Sequence, residues 1–271
     1  ERTWNTQRKA LYARMSQAIA LMPALNGYGT LDDTTDTAAE TFVTAGLSKV
    51  LKINNICDSE HVPDCGISSG INALNGTSMT IPHKMSELNN RMIAIETYSQ
   101  KDTNVAAFET ANGESILVFY NPNCVSAMGE TGEYYTQAKV CANMIFDLNG
   151  SKGPNTVGKD IGFMTILYPT DSSVVAPNVP VQKASDSVTQ EEAVGICKNQ
   201  DAEFRIPNRD ELVSLFVNQK LINGEIVNAS TDYWSATLGS ATKAWAQGFM
   251  TGKQVLRNKS THTGKVHCVK R

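Results

Sequence analysis

Charge and aromatic rings are both sparse in this 271-residue sequence, at 19% and 7% of residues. The charged fraction falls below the roughly 25% usual for soluble proteins. In its place stand 22 Asn, 25 Thr and 20 Ser, a surface better suited to an exposed, secreted protein than to a cytosolic enzyme. No apolar run approaches the roughly 18 residues of a membrane span, and no internal repeat or low-complexity tract is present. Catalytic signatures are also lacking. There is no G-x-S-x-G, H-E-x-x-H, P-loop or G-x-G-x-x-G, and histidine occurs only at His61, His83, His262 and His267. Common hydrolase and nucleotide-binding chemistries are thereby excluded, and no enzyme activity is expected. The opening Glu1-Arg2-Thr3-Trp4 is neither a signal peptide nor an ordinary start, so removal of an N-terminal segment is expected.

Six cysteines are present, Cys57, Cys65, Cys124, Cys141, Cys197 and Cys268, with no CxxC pair. Pairing in sequence order, one of 15 connectivities, would leave none over and would place the protein in an oxidising compartment. Cys57-x3-His61-x3-Cys65 offers a foothold for zinc but lacks a fourth ligand. Leu11, Met15, Ala18, Ile19, Met22 and Leu25 fall at three- and four-residue spacing after Trp4, with Gln7, Arg8 and Gln17 opposite, which predicts an amphipathic helix ending at Asn26-Gly27. It begins mid-stripe, like the lower half of a longer helix. An irregular stretch from Thr30 to about Asn90 includes short helical pieces over Ala38 to Leu51. The period then changes to two: strands are predicted over Met92–Thr97, Val105–Glu109, Ser115–Tyr120, Val140–Asp147 and Ile161–Tyr168, with Asn112-Gly113 as a hairpin turn. PTDSSVVAPNVP, between Pro169 and Pro180, is the best domain boundary. Beyond it Thr189-x-x-Glu192 and Asn208-x-x-Glu211 are capping boxes opening two helices, followed by short strands near Tyr233, Ala244, Gln254 and Val266.

The amphipathic N-terminal helix, the irregular stretch and the following sheet resemble a type IV pilin or a type II secretion pseudopilin. The most specific piece is FDLNGSKGPNTVGKD, Phe146 to Asp160, directly after Cys141. The apolar first half of the pilin helix and the processing site depart from that pattern. The second part resembles the lectin-like module of collagen-like bacterial adhesins, related to the C-type lectin scaffold. It does so through Ala193-x3-Cys197, Phe204-Arg205-Ile206-Pro207-Asn208-Arg209-Asp210-Glu211-Leu212, Tyr233-Trp234-Ser235, Phe249-Met250-Thr251-Gly252 and Val266-His267-Cys268-Val269. The resemblances imply an α+β fold: a long helix packed on an antiparallel sheet (1–170), a linker (171–183) and a C-type-lectin-like α+β domain (184–271). The second also implies a Cys197–Cys268 bridge, and the motif contexts lead us to expect Cys57–Cys65 and Cys124–Cys141 beside it.

Two sets of residues are candidates for binding. Asp147, Asn149, Ser151 and Asn155 fall at positions one, three, five and nine of a loop that Asp160 could close, as in a calcium loop, although position twelve is Gly158. A wide turn between strands explains the glycines and Pro154 equally well. From Lys243 to Arg271 the charge is +7, leaving −10 for the rest of the chain. Lys243, Lys253, Arg257 and Lys259, with Trp234 and Trp245 as stacking platforms, suit an acidic or sulfated sugar. The bland alternative keeps both tryptophans in the core and turns the lysines to water. The resemblances imply a minor or modular pilin presenting its distal part for adhesion to a host or bacterial surface glycan. Its partners would be other pilin subunits through the first helix. It would pass through the inner membrane and periplasm by the helix segment absent here and end in an extracellular pilus, and no nucleic acid is expected. The rivals are a purely structural pilin and a pseudopilin that recognises exported protein.

Overall fold

A computed structural model describes residues 2–26, 38–81, 104–126, 139–168, 173–175, 187–225 and 231–270. Helix α1 (Arg2–Asn26) leads into a short helical turn α2 (Ala39–Thr41), which continues as a π-helical turn, Phe42–Gly46, and a 3-10 turn, Leu47–Lys49. Strand β1 (Ile53–Cys57) and the hairpin β2 (Gly70–Asn72) and β3 (Ser78–Thr80) follow. The body of the molecule is then laid down by β4 (Val105–Thr110), β5 (Ser115–Ser126), β6 (Lys139–Asp147), β7 (Ile161–Tyr168) and β8 (Ser173–Val175). With β1 they make one six-stranded antiparallel sheet, ordered β1-β4-β5-β6-β7-β8. Asn112-Gly113 turns the β4–β5 hairpin, Gly113 donating to Thr110 O at 3.0 Å. The strand expected over Met92–Thr97 lies outside the described residues.

Each central strand is apolar on both sides, and both sides of the sheet are covered. Ala106, Phe108, Ile116, Val118, Tyr120, Met144, Phe146, Met164 and Ile166 pack against Leu11, Met15, Ala18, Ile19 and Met22 of α1 and against Phe42, Val43 and Leu47. Trp4 is half-buried at the end of this cluster. Val105, Ala107, Leu117, Phe119, Ile145, Ile161, Phe163 and Leu167 face the other way. Their cover is the segment Val62 to Ile81 and, from the far end of the chain, Leu212, Leu215, Phe216, Leu221 and Ile222. An irregularity between Val140 and Ala142 in the β6–β7 pairing switches the parity, so that the adjacent Cys141 and Ala142 join the same cluster and Val140 the opposite one.

The last third of the chain runs α3 (Gln190–Gln200), β9 (Phe204–Arg205), α4 (Arg209–Val217), α5 (Gln219–Asn223), β10 (Asp232–Leu238), β11 (Lys243–Gly248), β12 (Gln254–Asn258) and β13 (Val269–Lys270). Both capping boxes form, at Thr189 with Glu192 and at Asn208 with Glu211. β10, β11 and β12 make a three-stranded antiparallel sheet and β13 pairs with β9. Ala193 and Cys197 of α3 pack with Trp234, Ala244 and Ala246 on one face of the smaller sheet. On its other face Tyr233 and Phe249 join Leu212, Leu215 and Phe216 of α4 in the cluster that covers the large sheet. Asn143 of β6 and Asn218 exchange amide hydrogen bonds at 2.8 and 3.0 Å, and Thr165 of β7 lies 2.6 Å from Ser214 of α4. The β2–β3 hairpin caps α5: Leu74 N and Asn75 N donate to Leu221 O and Ile222 O at 2.9 and 3.2 Å.

This arrangement corrects the expected fold class. In place of an α+β chain, with a helix on a sheet followed by a lectin-like α+β unit, the molecule is mixed α/β and a sheet-rich body dominates it. The reason lies in the strands. SILVFY, KVCANMIFD and IGFMTILY are near-continuous apolar runs rather than alternations, so a sheet built from them demands cover on two faces. One helix can supply only one of them.

Candidate functional site

The loop from Asp147 to Asp160 joins β6 to β7. Asp160 is fully buried, and its two oxygens accept from Asn155 N and Thr156 N, each at 2.8 Å. Asp147 is buried as well and accepts from Asn149 N at 3.1 Å. The Asn155 amide, oriented to satisfy its neighbours, donates to Asp147 Oδ2 at 3.2 Å and to Lys152 O at 3.1 Å and accepts from Ser68 Oγ at 3.2 Å. Burial pushes the Asp147 carboxyl up to about 7; the Asn149 amide opposes this and the Asp160 charge adds to it. Beside this pair Asn149 Oδ1 and Ser115 Oγ are buried without hydrogen-bond partners among the described residues. Ser115 stands directly across the β5–β6 ladder from Asp147, and Gly150, at φ +68°, passes over it. A small pocket with room for about one water molecule opens between Asp147, Ser68 and the apolar Ile67, Leu117, Ile145 and Ile161.

Of the five residues expected to hold calcium, Asp147, Asn149, Asn155 and Asp160 therefore converge, whereas Ser151 is exposed on the outer turn. No group of three or more His, Cys, Asp or Glu side chains placed for a metal occurs among the described residues. A cation here would rely on two carboxylates completed by neutral oxygens, a donor set that suits a hard ion. The zinc alternative fails: Cys57 and Cys65 are joined in a disulfide, and His61 is exposed with Nδ1 2.7 Å from Asp58. Cys124–Cys141 and Cys197–Cys268 are also closed. Three disulfides point to an oxidising location, extracellular or periplasmic.

The six residues proposed from sequence for an acidic sugar do not form one surface. Trp234 is fully buried, its indole N–H donating to Val188 O at 2.8 Å, and no ligand can stack on it. Arg257 donates to Asp232 Oδ2 at 2.8 Å, and Lys259 lies 3.5 Å from Glu191. Because Lys243 pairs with Asn258 and Ala244 with Arg257, Lys243 and Arg257 lie on opposite faces of the β10–β12 sheet. Lys243 is exposed and shares its face with the half-buried Trp245, and Lys253 is half-buried at the β11–β12 turn. The residue that meets Trp245 is one the sequence reading did not single out. The Arg209 guanidinium lies 3.7 Å from the centre of its ring, in cation–π contact. Arg209 opens α4 and also bonds Gln254, whose amide donates to Gln247 Oε1 at 2.8 Å. Its marks in the sequence are its place in the Phe204-to-Leu212 motif and one residue after the cap Asn208.

The rest of the Phe204-to-Leu212 motif is structural. Arg205 and Glu211 form a two-point ion pair, 2.7 Å at each contact, and Glu211 also accepts from Asn208 N. Near the chain's end His267 lies buried with its ring stacked on Tyr233, centroids 4.3 Å apart, and neither ring nitrogen has a hydrogen-bond partner among the described residues. Burial, with a smaller push from Lys265, drives its imidazole down to about 3. No helix among the described residues is long and apolar enough to cross a membrane. No protein-family model matches this chain, and no curated protein matches it.

Proposed function

We propose that the chain is a subunit of a type IV pilus, a minor or modular pilin, that also attaches the filament to a surface glycan without performing chemistry. The observation that supports the assembly role is the outward side of α1. Its inner side is buried through Leu11, Met15, Ala18, Ile19 and Met22, while Thr6, Ala10, Ala13, Gln17 and Ala20 face solvent beside Leu21, which is 54% exposed. Thr6, Ala10, Ala13 and Ala20 are small and uncharged and leave room for a second helix to approach closely, with the exposed Lys9 and Gln17 at the borders. Arg14 and Arg8 brace the inner side, pairing with Glu114 and donating to Gly158 O at 2.8 Å. A neighbouring subunit would thus meet a helix that is already held in place.

Adhesion in this reading rests on Trp245 with its stacked Arg209 and on Lys243. The pairing of Arg257 and Lys259 with carboxylates favours the rival reading of a purely structural subunit. The 147–160 loop would take one calcium ion through Asp147, Asp160 and Asn149 Oδ1, bracing β6 against β7. The test of assembly is Ala13→Glu combined with Ala20→Glu in the full-length protein of the producing cell. The variant should melt like the parent and be lost from sheared filaments; undiminished incorporation would tell against the reading. Whole protein on a glycan array should bind acidic sugars, weakening steeply with salt. An array that stays blank would leave the structural subunit.

A further inference from the structure

We infer that His267 is an acid-operated latch: neutral, it closes the seam between the last strand and the aromatic group of Tyr233, Phe249 and Phe216, and protonated it drives residues 266–270 out of that seam. The ring is enclosed by apolar faces. Tyr233 stacks on it at an interplanar angle of 10°, and Phe249 lies against it with centroids 5.4 Å apart. Phe249 in turn meets Phe216 of α4 edge-on at 5.9 Å. Val266, Cys268 and Val269 around it are buried to 1% exposure or less. An imidazolium in this position would have two N–H donors to satisfy and finds no hydrogen-bond acceptor among the described residues.

The charged groups on the surrounding elements do not help it. On β10, Asp232 lies on the face opposite Tyr233 and is held by Arg257. Arg205 of β9 and Glu211 of α4 hold each other, with Arg209 and Asp210 at the far end of that helix, which presents only uncharged residues from Leu212 to Val217. Lys270 of β13 sits over Phe204. Lys265, the charge among the described residues that acts on the ring, has the same sign as the imidazolium. With the folded-state value depressed to about 3 against 6.5, the unfolded chain binds the extra proton first. Stability is therefore complete above pH 6.5 and is lost as pH falls from there towards 3. The Cys197–Cys268 disulfide would keep the released strand tethered, which makes the opening reversible.

The test uses the oxidised full chain and two variants, His267→Phe and His267→Leu, melted between pH 7.5 and 4.5. The parent should lose several degrees below pH 6.5 relative to both variants. Amide exchange over 266–270 in the parent should quicken at pH 5 relative to the β5 amides, after correction for the intrinsic pH dependence. Parallel decline of all three proteins overturns the latch. So does exchange at 266–270 that changes only in step with β5, a result that decides the matter even if a variant fails to fold.

Discussion

Asp147 is an acidic residue placed where its charge is unwelcome, beside Asp160 and beneath a loop. Its folded value, raised to about 7, means that the native state holds a proton which the unfolded chain releases near pH 4. In chelator, stability should therefore decline as pH rises from about 4 to 7, by an amount on the order of a few kcal/mol at most. Asp147→Asn should remove that decline and be more stable than the parent at pH 8. Excess calcium should raise the melting temperature of the parent at pH 8, but not that of Asp147→Asn; thermal melts of the two proteins with calcium and with chelator check both outcomes. The spacing of Asp147, Asn149, Asn155 and Asp160 was legible in the sequence. Ser115 Oγ, without a partner among the described residues, was not, because it reaches the loop only through strand pairing.

At the scale of elements, α4 is fastened to the large sheet by apolar contact and by the closed polar set Asn143, Thr165, Ser214 and Asn218, all 0% exposed. Asn143 accepts from both Asn218 and Thr165 and donates to Asn218, so its removal takes a partner from each. Asn143→Leu should cost about 1–3 kcal/mol by leaving Asn218 Oδ1 without its donor, while Asn218 Nδ2 keeps Ser214 O at 2.8 Å. The double variant with Asn218→Leu should recover part of that loss, and a denaturant double-mutant cycle measures the coupling. In the sequence Asn143 reads as a blemish in an apolar strand, and Asn218 reads as the end of a helix. Their partnership spans 75 residues, and neither local pattern carries it. Gly162 is a similar case: it accommodates the ring of Phe146 from the neighbouring strand, where a Cβ would come within 2.3 Å.

For the whole molecule the consequence is that the two parts do not stand apart. Leu212, Leu215, Phe216, Leu221 and Ile222 complete the core under the large sheet. Each would forfeit about 1.5–3 kcal/mol if left in water. A fragment of residues 184–271 should therefore expose an apolar face and bind a hydrophobic dye, while the full chain unfolds in one cooperative transition. Circular dichroism and dye fluorescence on the two proteins test this, and a fragment that folds cooperatively alone would show 184–271 to be the independent domain expected from sequence.

The amphipathic stripe of α1, the Asn112-Gly113 hairpin, the capping boxes at Thr189 and Asn208 and the central strands were all determined by sequence, because periodicity, turn chemistry and caps act over a few residues. The even cysteine count likewise bounded the disulfide set. Which faces meet was decided only by the tertiary structure. A strand's apolar run does not say what covers it, and the alternation read into β5, β6 and β7 concealed a second buried face. The basic residues between Lys243 and Lys259 follow the same rule. Their charge is a property of the sequence, but pairing with Asp232 and Glu191, and division between two faces of a sheet, arise from residues distant in the chain. Side-chain chemistry is local, whereas burial and partnership belong to the packed whole.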